Sequence, residues 1–283
     1  MNQNKYPILF DKSKMKFGKL NKSSDILLLF KLIFNREFKK DLIDWFSSCP
    51  IGANLWYAAF KNDEPVAMYG LLPILIKVDG VIIKGALCNN VGVIPRFQGT
   101  GLFQAMGEFS LNDSKFPLVI GVPNSKAVKG HKRIGWKSYG GLELLSGFVS
   151  GEGYEKLDIN QFKYIESKKD IYFKIQKNLD FIKWRYSKPQ TIYYQSIIDE
   201  YNYIIWKEYN NKKQILELSD CNLLEGFNGV VDVWAFKNSE NNEKLRSKGF
   251  SPILFNEFIL YTNMQLLENV NNYKFELGDN DVF

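Results

Sequence analysis

Between residues 24 and 48, apolar side chains recur three and four positions apart: Ile26, Leu29, Phe30, Leu32 and Ile33. That is a helical period, and Ser24 and Asp25 ahead of it can cap. A second helical piece runs from Asp41 to Phe46 and carries Trp45. The period then shortens. Residues 55–60, 66–76 and 81–93 are rich in β-branched and aromatic side chains, with turn residues at 62–65 and at Asp79-Gly80 between them. Asp-Gly between two such runs is a strong hairpin signal, so the pattern predicts three antiparallel strands. A helix over about 99–112, a buried-looking strand at 118–122, a short helix at 125–133 and a strand at 136–148 follow. The chain thus mixes α and β elements around one sheet in this region: an α/β class with a mixed sheet.

The junction of the third strand and the next helix holds the most specific signal. Residues 93–103 read Val-Ile-Pro-Arg-Phe-Gln-Gly-Thr-Gly-Leu-Phe. Strand, glycine turn and helix in this order aim backbone N–H groups, and the positive end of a helix dipole, at one spot. Gly99 and Gly101 permit the positive φ angles, and leave out a Cβ that would block a ligand. The turn suits a phosphate or pyrophosphate, or it is a tight turn with no ligand. No Lys follows Gly101, as a nucleoside-triphosphate P-loop requires. Gln104 stands where the third glycine of a dinucleotide fingerprint would be.

The spacing Arg96-x-x-Gly99-x-Gly101 resembles the Gln/Arg-x-x-Gly-x-Gly/Ala loop of the GNAT acyltransferase superfamily. A second segment agrees. Asn124 can cap the helix at 125–133, and His131-Lys-Arg-Ile-Gly135-Trp136 closes it where GNAT proteins commonly carry Tyr-x-x-Leu-Gly-Phe. The resemblance covers residues 24–148 and implies a GNAT fold with acetyl-coenzyme A as cofactor. It implies that Val91, Val93, Arg96, Phe97, Gln98, Gly99, Thr100, Gly101, Leu102 and Asn124 bind that cofactor. It places His131, the single histidine of the chain, near the thioester sulfur. Gly135 also stands without any family, as a left-handed helix C-cap.

The second half reads as a worn copy of the first. Trp45-Phe-Ser-Ser-Cys-Pro50 matches Trp184-Arg-Tyr-Ser-Lys-Pro189 in spacing, 139 residues on. Asn124-Ser125 and Gly135-Trp136 match Asn238-Ser239 and Gly249-Phe250, 114 residues on. The copy is therefore 25 residues shorter between these landmarks, and no Gly-x-Gly occurs after residue 153. Leu245 occupies the place of His131. We expect a domain at 1–150 with the acyl-CoA site and a smaller, degenerate GNAT-like domain at 151–283 that shapes the acceptor site.

Charge and cysteine usage narrow the function classes. The net charge of +6 is split into +9 for residues 1–150 and −3 for 151–283. Six cations and no acid lie between Asp113 and Glu143. That patch fits nucleic acid, one highly anionic small ligand such as coenzyme A, or a solvated helix face. Three widely spaced cysteines, with no Cys-x-x-Cys, argue against a disulfide framework or a metal site. The longest apolar run, 26–30, is interrupted by Lys31, and the first residues lack a signal-peptide core. A cytoplasmic chain is expected, with neither a membrane nor a nucleic acid as partner.

Acyl transfer from a thioester to an amine needs a neutral amine, donors for the oxyanion and a proton for the leaving thiolate. Backbone groups around Val91 to Val93 would supply donors, and His131 would act as acid or base or else be a half-buried helix histidine. Many GNAT enzymes carry a Glu base on the strand entering the loop. Here no acid occurs between Asp79 and Glu108, and that strand offers Cys88, Asn89 and Asn90. Glu37, Asp41, Asp44 and Tyr57 are the other candidate bases, and Cys88 is either a nucleophile or a buried strand thiol. The expected activity is N-acyl transfer by direct attack onto an amine of a small metabolite such as an amino sugar or sugar nucleotide. The alternatives are an aminoacyl-tRNA-dependent transferase of the tandem type and a non-catalytic acyl-CoA-binding module.

Overall fold

The computed structural model describes residues 14–165, 171–266 and 272–280. A short edge strand, β1 (Lys16–Lys19), leads into helices α1 (Ser23–Phe34) and α2 (Lys40–Ser47). The helical region at 24–48 is thus two helices. Asn35 turns left-handed (φ 52°) and caps α1, which breaks the run. The proposed cap at Ser24 and Asp25 is corrected: Lys22 is the extended N-cap residue, with no side-chain bond. Asp25 instead lies in the first turn, where a carboxylate complements the helix dipole.

β2 (Leu55–Lys61), β3 (Glu64–Val78) and β4 (Val81–Val93) form the expected antiparallel meander. Strand alternation then divides the helices between two faces. Trp56 packs on Phe30 of α1 and Phe46 of α2, with ring centroids 5.9 and 5.3 Å away. Its neighbour Tyr57 points the other way, onto Phe109 of α3 (Leu102–Ser114) at 6.0 Å. After α3 come β5 (Leu118–Gly121), α4 (Ser125–Arg133) and β6 (Lys137–Ser150).

The second half repeats this plan in reduced form. It comprises β7 (Phe173–Ile175), α5 (Leu179–Arg185), β8 (Tyr193–Ile197), β9 (Tyr203–Tyr209), β10 (Lys212–Leu218), β11 (Asn228–Phe236), α6 (Glu240–Ser247), β12 (Ser251–Thr262), β13 (Tyr273–Lys274) and α7 (Leu277–Asn280). Where the first half has the glycine loop and α3, the second has one short turn, Cys221–Gly226. That is the physical content of the shorter spacing in the sequence.

The strands join in one sheet of order β1-β2-β3-β4-β5-β12-β6-β11-β10-β9-β8, with β7 on β3 and β13 on β7. Each half gives a strand to the other: β12 lies beside β5, and β6 lies beside β11. Each half also contains one parallel pair, β4 with β5 and β10 with β11. An approximate two-fold relation follows. The residues 114 apart, Leu142 and Asn256, face each other across the β6–β12 pair. Trp45 and Trp184, 139 apart, stack at 4.7 Å, and each indole N–H donates to the other's backbone carbonyl at 2.8 Å. Equivalent residues meeting reciprocally is what a two-fold contact looks like within one chain. No helix among the described residues is long and apolar enough to cross a membrane.

Candidate active site

β4 and β5 are paired only at Ala86–Val119 and Leu87–Ile120. Beyond that the strands part. β4 bulges there: Asn89 pairs with Gly70 and Gly92 with Met68, so Asn90 and Val91 stand against Tyr69 alone. A bulge breaks the ladder and re-aims side chains. Asn90 takes a left-handed backbone (φ 48°) at this point. The gap between the parted strands is a cleft of about 380 Å³. Cys88 to Val91 form one wall, and Gly121 to Asn124 with Ala127 and His131 the other. Phe30, Phe34, Arg36 and Phe38 close a third side, and Asn256 and Asn280 come from the second half.

The glycine loop lies at the end of β4. Pro95–Phe97 makes a single tight turn. Gln98 Nε2 donates to the Val93 carbonyl at 3.0 Å, and Thr100 Oγ1 to the Phe97 carbonyl at 2.7 Å. Phe97 and Leu102 are buried and pin the loop to the core. Gly99 and Gly101 have φ of 76° and 91°. A Cβ on either would meet nothing within 4 Å, so backbone conformation fixes these glycines within the protein itself. Gly101 is the N-cap of α3 and supplies no side-chain acceptor, so the first N–H groups of this helix are left for an outside acceptor. Arg96 is exposed, lies 3.6 Å from Glu64 Oε2 and covers the Phe97 ring at 5.2 Å.

The sequence-derived residues divide in two. Val91, Asn124 and His131 line the cleft. Val93, Phe97, Gln98, Thr100 and Leu102 build the loop beside it, with the two glycines at its turns. Asn124 caps α4 by accepting from Lys126 and Ala127 backbone N–H groups at 3.1 and 3.0 Å. His131 is buried, edge-on to Phe103 at 5.1 Å and Trp136 at 4.8 Å. Its Nδ1 is 3.4 Å from the hydroxyl of the buried Tyr69. Burial lowers the imidazole pKa to about 4, so the ring is neutral at pH 7. A neutral resting ring does not carry the proton that an imidazolium acid would give up. What remains is a neutral ring beside a phenol that burial also keeps protonated.

Cys88 is raised to about 12 by burial and stays a thiol. A half-buried cysteine on the cleft wall held as its thiol speaks against the nucleophile reading. None of the four other base candidates lines the cleft. Asp44 is paired with Lys40 at 2.7 Å, and Asp41 accepts from Gln190 at 3.3 Å. Glu37 is exposed. Tyr57 donates to Asp113 at 2.9 Å, and burial together with that carboxylate raises its pKa. Sequence reading missed Phe30, Phe34, Arg36, Phe38, Tyr69, Asn256 and Asn280. The repeat makes Asn256 the equivalent of Leu142, but that equivalence gave no sign of the cleft.

The second half has a cleft of its own, about 360 Å³, where β10 and β11 part. Here the chain itself takes up the strand's free groups. Glu276 Oε1 accepts from the Leu218 backbone N–H at 2.7 Å, and Lys274 Nζ donates to the Leu218 carbonyl at 3.3 Å.

Residues 16–138 match the family model of the acetyltransferase (GNAT) domain. No curated protein matches the chain. Among solved structures, a conserved protein from Enterococcus faecalis described as a probable N-acyltransferase is similar. Its TM-score is 0.63 at 12% identity, covering 88% of this chain and 72% of that one. A putative acetyltransferase from Pyrococcus horikoshii gives 0.61 at 12% identity, covering 95% and 96%. Saccharomyces cerevisiae N-myristoyltransferase with bound myristoyl-CoA gives 0.59 at 10% identity, covering 93% and 82%. At these identities the likeness is one of fold.

Proposed function

We propose, from the match of residues 16–138 to the acetyltransferase (GNAT) domain model, that the chain transfers an acyl group from acyl-coenzyme A to an amine. The acyl group is acetyl, and the acceptor is a small cytoplasmic metabolite such as an amino sugar or sugar nucleotide. The observation that carries this reading is the parted β4–β5 pair with the uncapped N-terminus of α3 at one end of the gap. Coenzyme A needs both: an anion site for its pyrophosphate and a slot between strands for its pantetheine arm. Gly99, Thr100, Gly101 and Leu102 would meet the pyrophosphate with backbone N–H groups. Val91 and Val93 would flank the arm, and Asn124 and His131 the opposite wall.

In this reading the acceptor amine attacks the thioester carbonyl carbon directly in a ternary complex. The N–C bond forms, the C–S bond breaks, and the amine's displaced proton ends on sulfur as the product thiol. A Cys88 held as the thiol supports direct attack over an acyl-enzyme. His131, neutral and next to Tyr69, would orient the sulfur and relay its proton rather than supply one as imidazolium. Asn256 and Asn280 on the cleft support a role for the second half in shaping the acceptor site.

Calorimetry with acetyl-CoA tests the reading. Binding is expected at tens of micromolar or tighter, with thiol release once a suitable amine is added. Gly101→Asp should weaken binding at least tenfold, because a side chain is strained at φ 91° and a carboxylate repels the pyrophosphate. Unchanged affinity in that variant removes the loop assignment. Binding without turnover on any amine would leave a binding module.

A further inference from the structure

The bulge in β4 sets up an amide relay that ends at the cleft. Asn54 Oδ1 accepts from Asn89 Nδ2 at 2.8 Å, and Asn89 Nδ2 also reaches the Leu87 carbonyl at 3.2 Å. Asn89 Oδ1 in turn accepts from Asn90 Nδ2 at 2.8 Å. Each donor is spent on the previous amide, so the orientation of the last one is fixed. Reversing Asn90 would set its oxygen against the Asn89 oxygen. The free end of the relay is therefore Asn90 Oδ1.

That oxygen has no partner, although Asn90 is only 2% exposed. A buried acceptor left unpaired loses its hydration without compensation. The left-handed backbone of Asn90 adds a second cost at the same residue. Both fall on a residue of the cleft wall, between Cys88 and Val91, where the strands part. The two other amides of the relay are fully used and serve to hold the third.

We propose that Asn90 Oδ1 is the hydrogen-bond acceptor for the attacking nitrogen of the amine substrate. The inference rests on the acyl-transfer reading of the same cleft. A thioester carbonyl wants donors, and an oxygen acceptor is of no use to it. The amine is the reacting group that has N–H to give. Held through one N–H by Asn90, the nitrogen keeps its lone pair for the carbonyl carbon. The amide takes no proton: the N–C bond forms, the C–S bond breaks and the displaced proton leaves with the thiol. Asn90 thus contributes position, and an ether analogue, which has no hydrogen to donate, loses this contact.

One variant with two readouts tests it in the full chain. Asn90→Gly removes the oxygen and tolerates the left-handed backbone. Thiol release from acetyl-CoA is followed with glucosamine and a panel of simple primary amines, and acetyl-CoA affinity is measured by calorimetry alongside. Asn90→Gly should lower kcat/KM for the amine ten- to a hundredfold with acetyl-CoA affinity within twofold of the parent. The proposal is overturned if the glycine variant keeps kcat/KM for the amine, or if it loses acetyl-CoA affinity in step, which would assign the oxygen to the pantetheine arm. A parent protein that binds no acetyl-CoA fails earlier, at the acyl-transfer reading itself.

Discussion

His131 shows how one residue's surroundings decide its chemistry. Its position four residues before Gly135 was legible in the sequence, but its environment was not. Phe103 of α3, Tyr69 of β3 and Trp136 just after the end of α4 enclose the ring. They lower its pKa from 6.5 to about 4. A depressed base is neutral in the folded chain and gains a proton on unfolding below pH 6.5. Stability from this group is therefore complete above pH 6.5 and is lost as pH falls toward 4. One proton per molecule corresponds to about 1.4 kcal/mol per pH unit, or on the order of 3 kcal/mol across the window. Urea unfolding at pH 7 and pH 4.5 should show that loss in the parent chain and a smaller one in His131→Gln. An equal loss in both would mean that the imidazole is hydrated. The glycines of the loop were more legible, because left-handed φ is a demand that one residue type meets by itself. The amide relay was not: Asn54, Asn89 and Asn90 come together through the register of β3 and β4 and the bulge between them.

At the scale of elements, the alternation of helical and strand periods located the boundaries between residues 24 and 148 to within a few residues, while β1 and most elements of the second half were not assigned. The apolar face of each strand is set by near neighbours, so a local pattern carries it. Pairing between distant strands leaves no such local mark, and the insertion of β12 between β5 and β6 was not readable. The repeated Trp was readable as a spacing, and the structure gives it a purpose. Trp45 of α2 and Trp184 of α5 exchange two buried hydrogen bonds and stack nearly parallel, at 8°. Trp45→Phe keeps an aromatic ring in the stack and deletes one bond, while the Trp184 carbonyl still accepts from Ser187 Oγ at 2.9 Å. A loss of about 1 kcal/mol is expected, and the same for Trp184→Phe, where Ser48 Oγ keeps the Trp45 carbonyl paired at 2.9 Å. The pair should be non-additive in a double-mutant cycle, because each indole helps to place the other's backbone. Additive losses, measured by denaturant unfolding, would reduce the contact to two independent packing sites.

The whole molecule is held together by what the halves give each other. A break after residue 150 divides the sequence where the repeat begins, but the sheet crosses it four strands deep. β5 is covered on one side by β12 over Leu118–Gly121, and β6 by β11 over Leu142–Ser150. A chain ending at 150 keeps β5 as a bare edge beside β4 and leaves the 14-residue β6 with neither of its partners, β11 and β12. Exposed edges of this kind pair with other copies. The cleft would also lose Asn256 and Asn280, its only contributions from the second half among the described residues. The separate fragment 1–150 is therefore expected to aggregate and to bind acetyl-CoA poorly, although it contains the whole glycine loop. The full chain is expected to unfold in one calorimetric transition, since neither half can lose its donated strand without opening the other's sheet. Two resolved transitions, or a monomeric fragment with parental acetyl-CoA affinity, would show that the exchanged strands are dispensable. The second half would then be an appendage to the site rather than one of its walls.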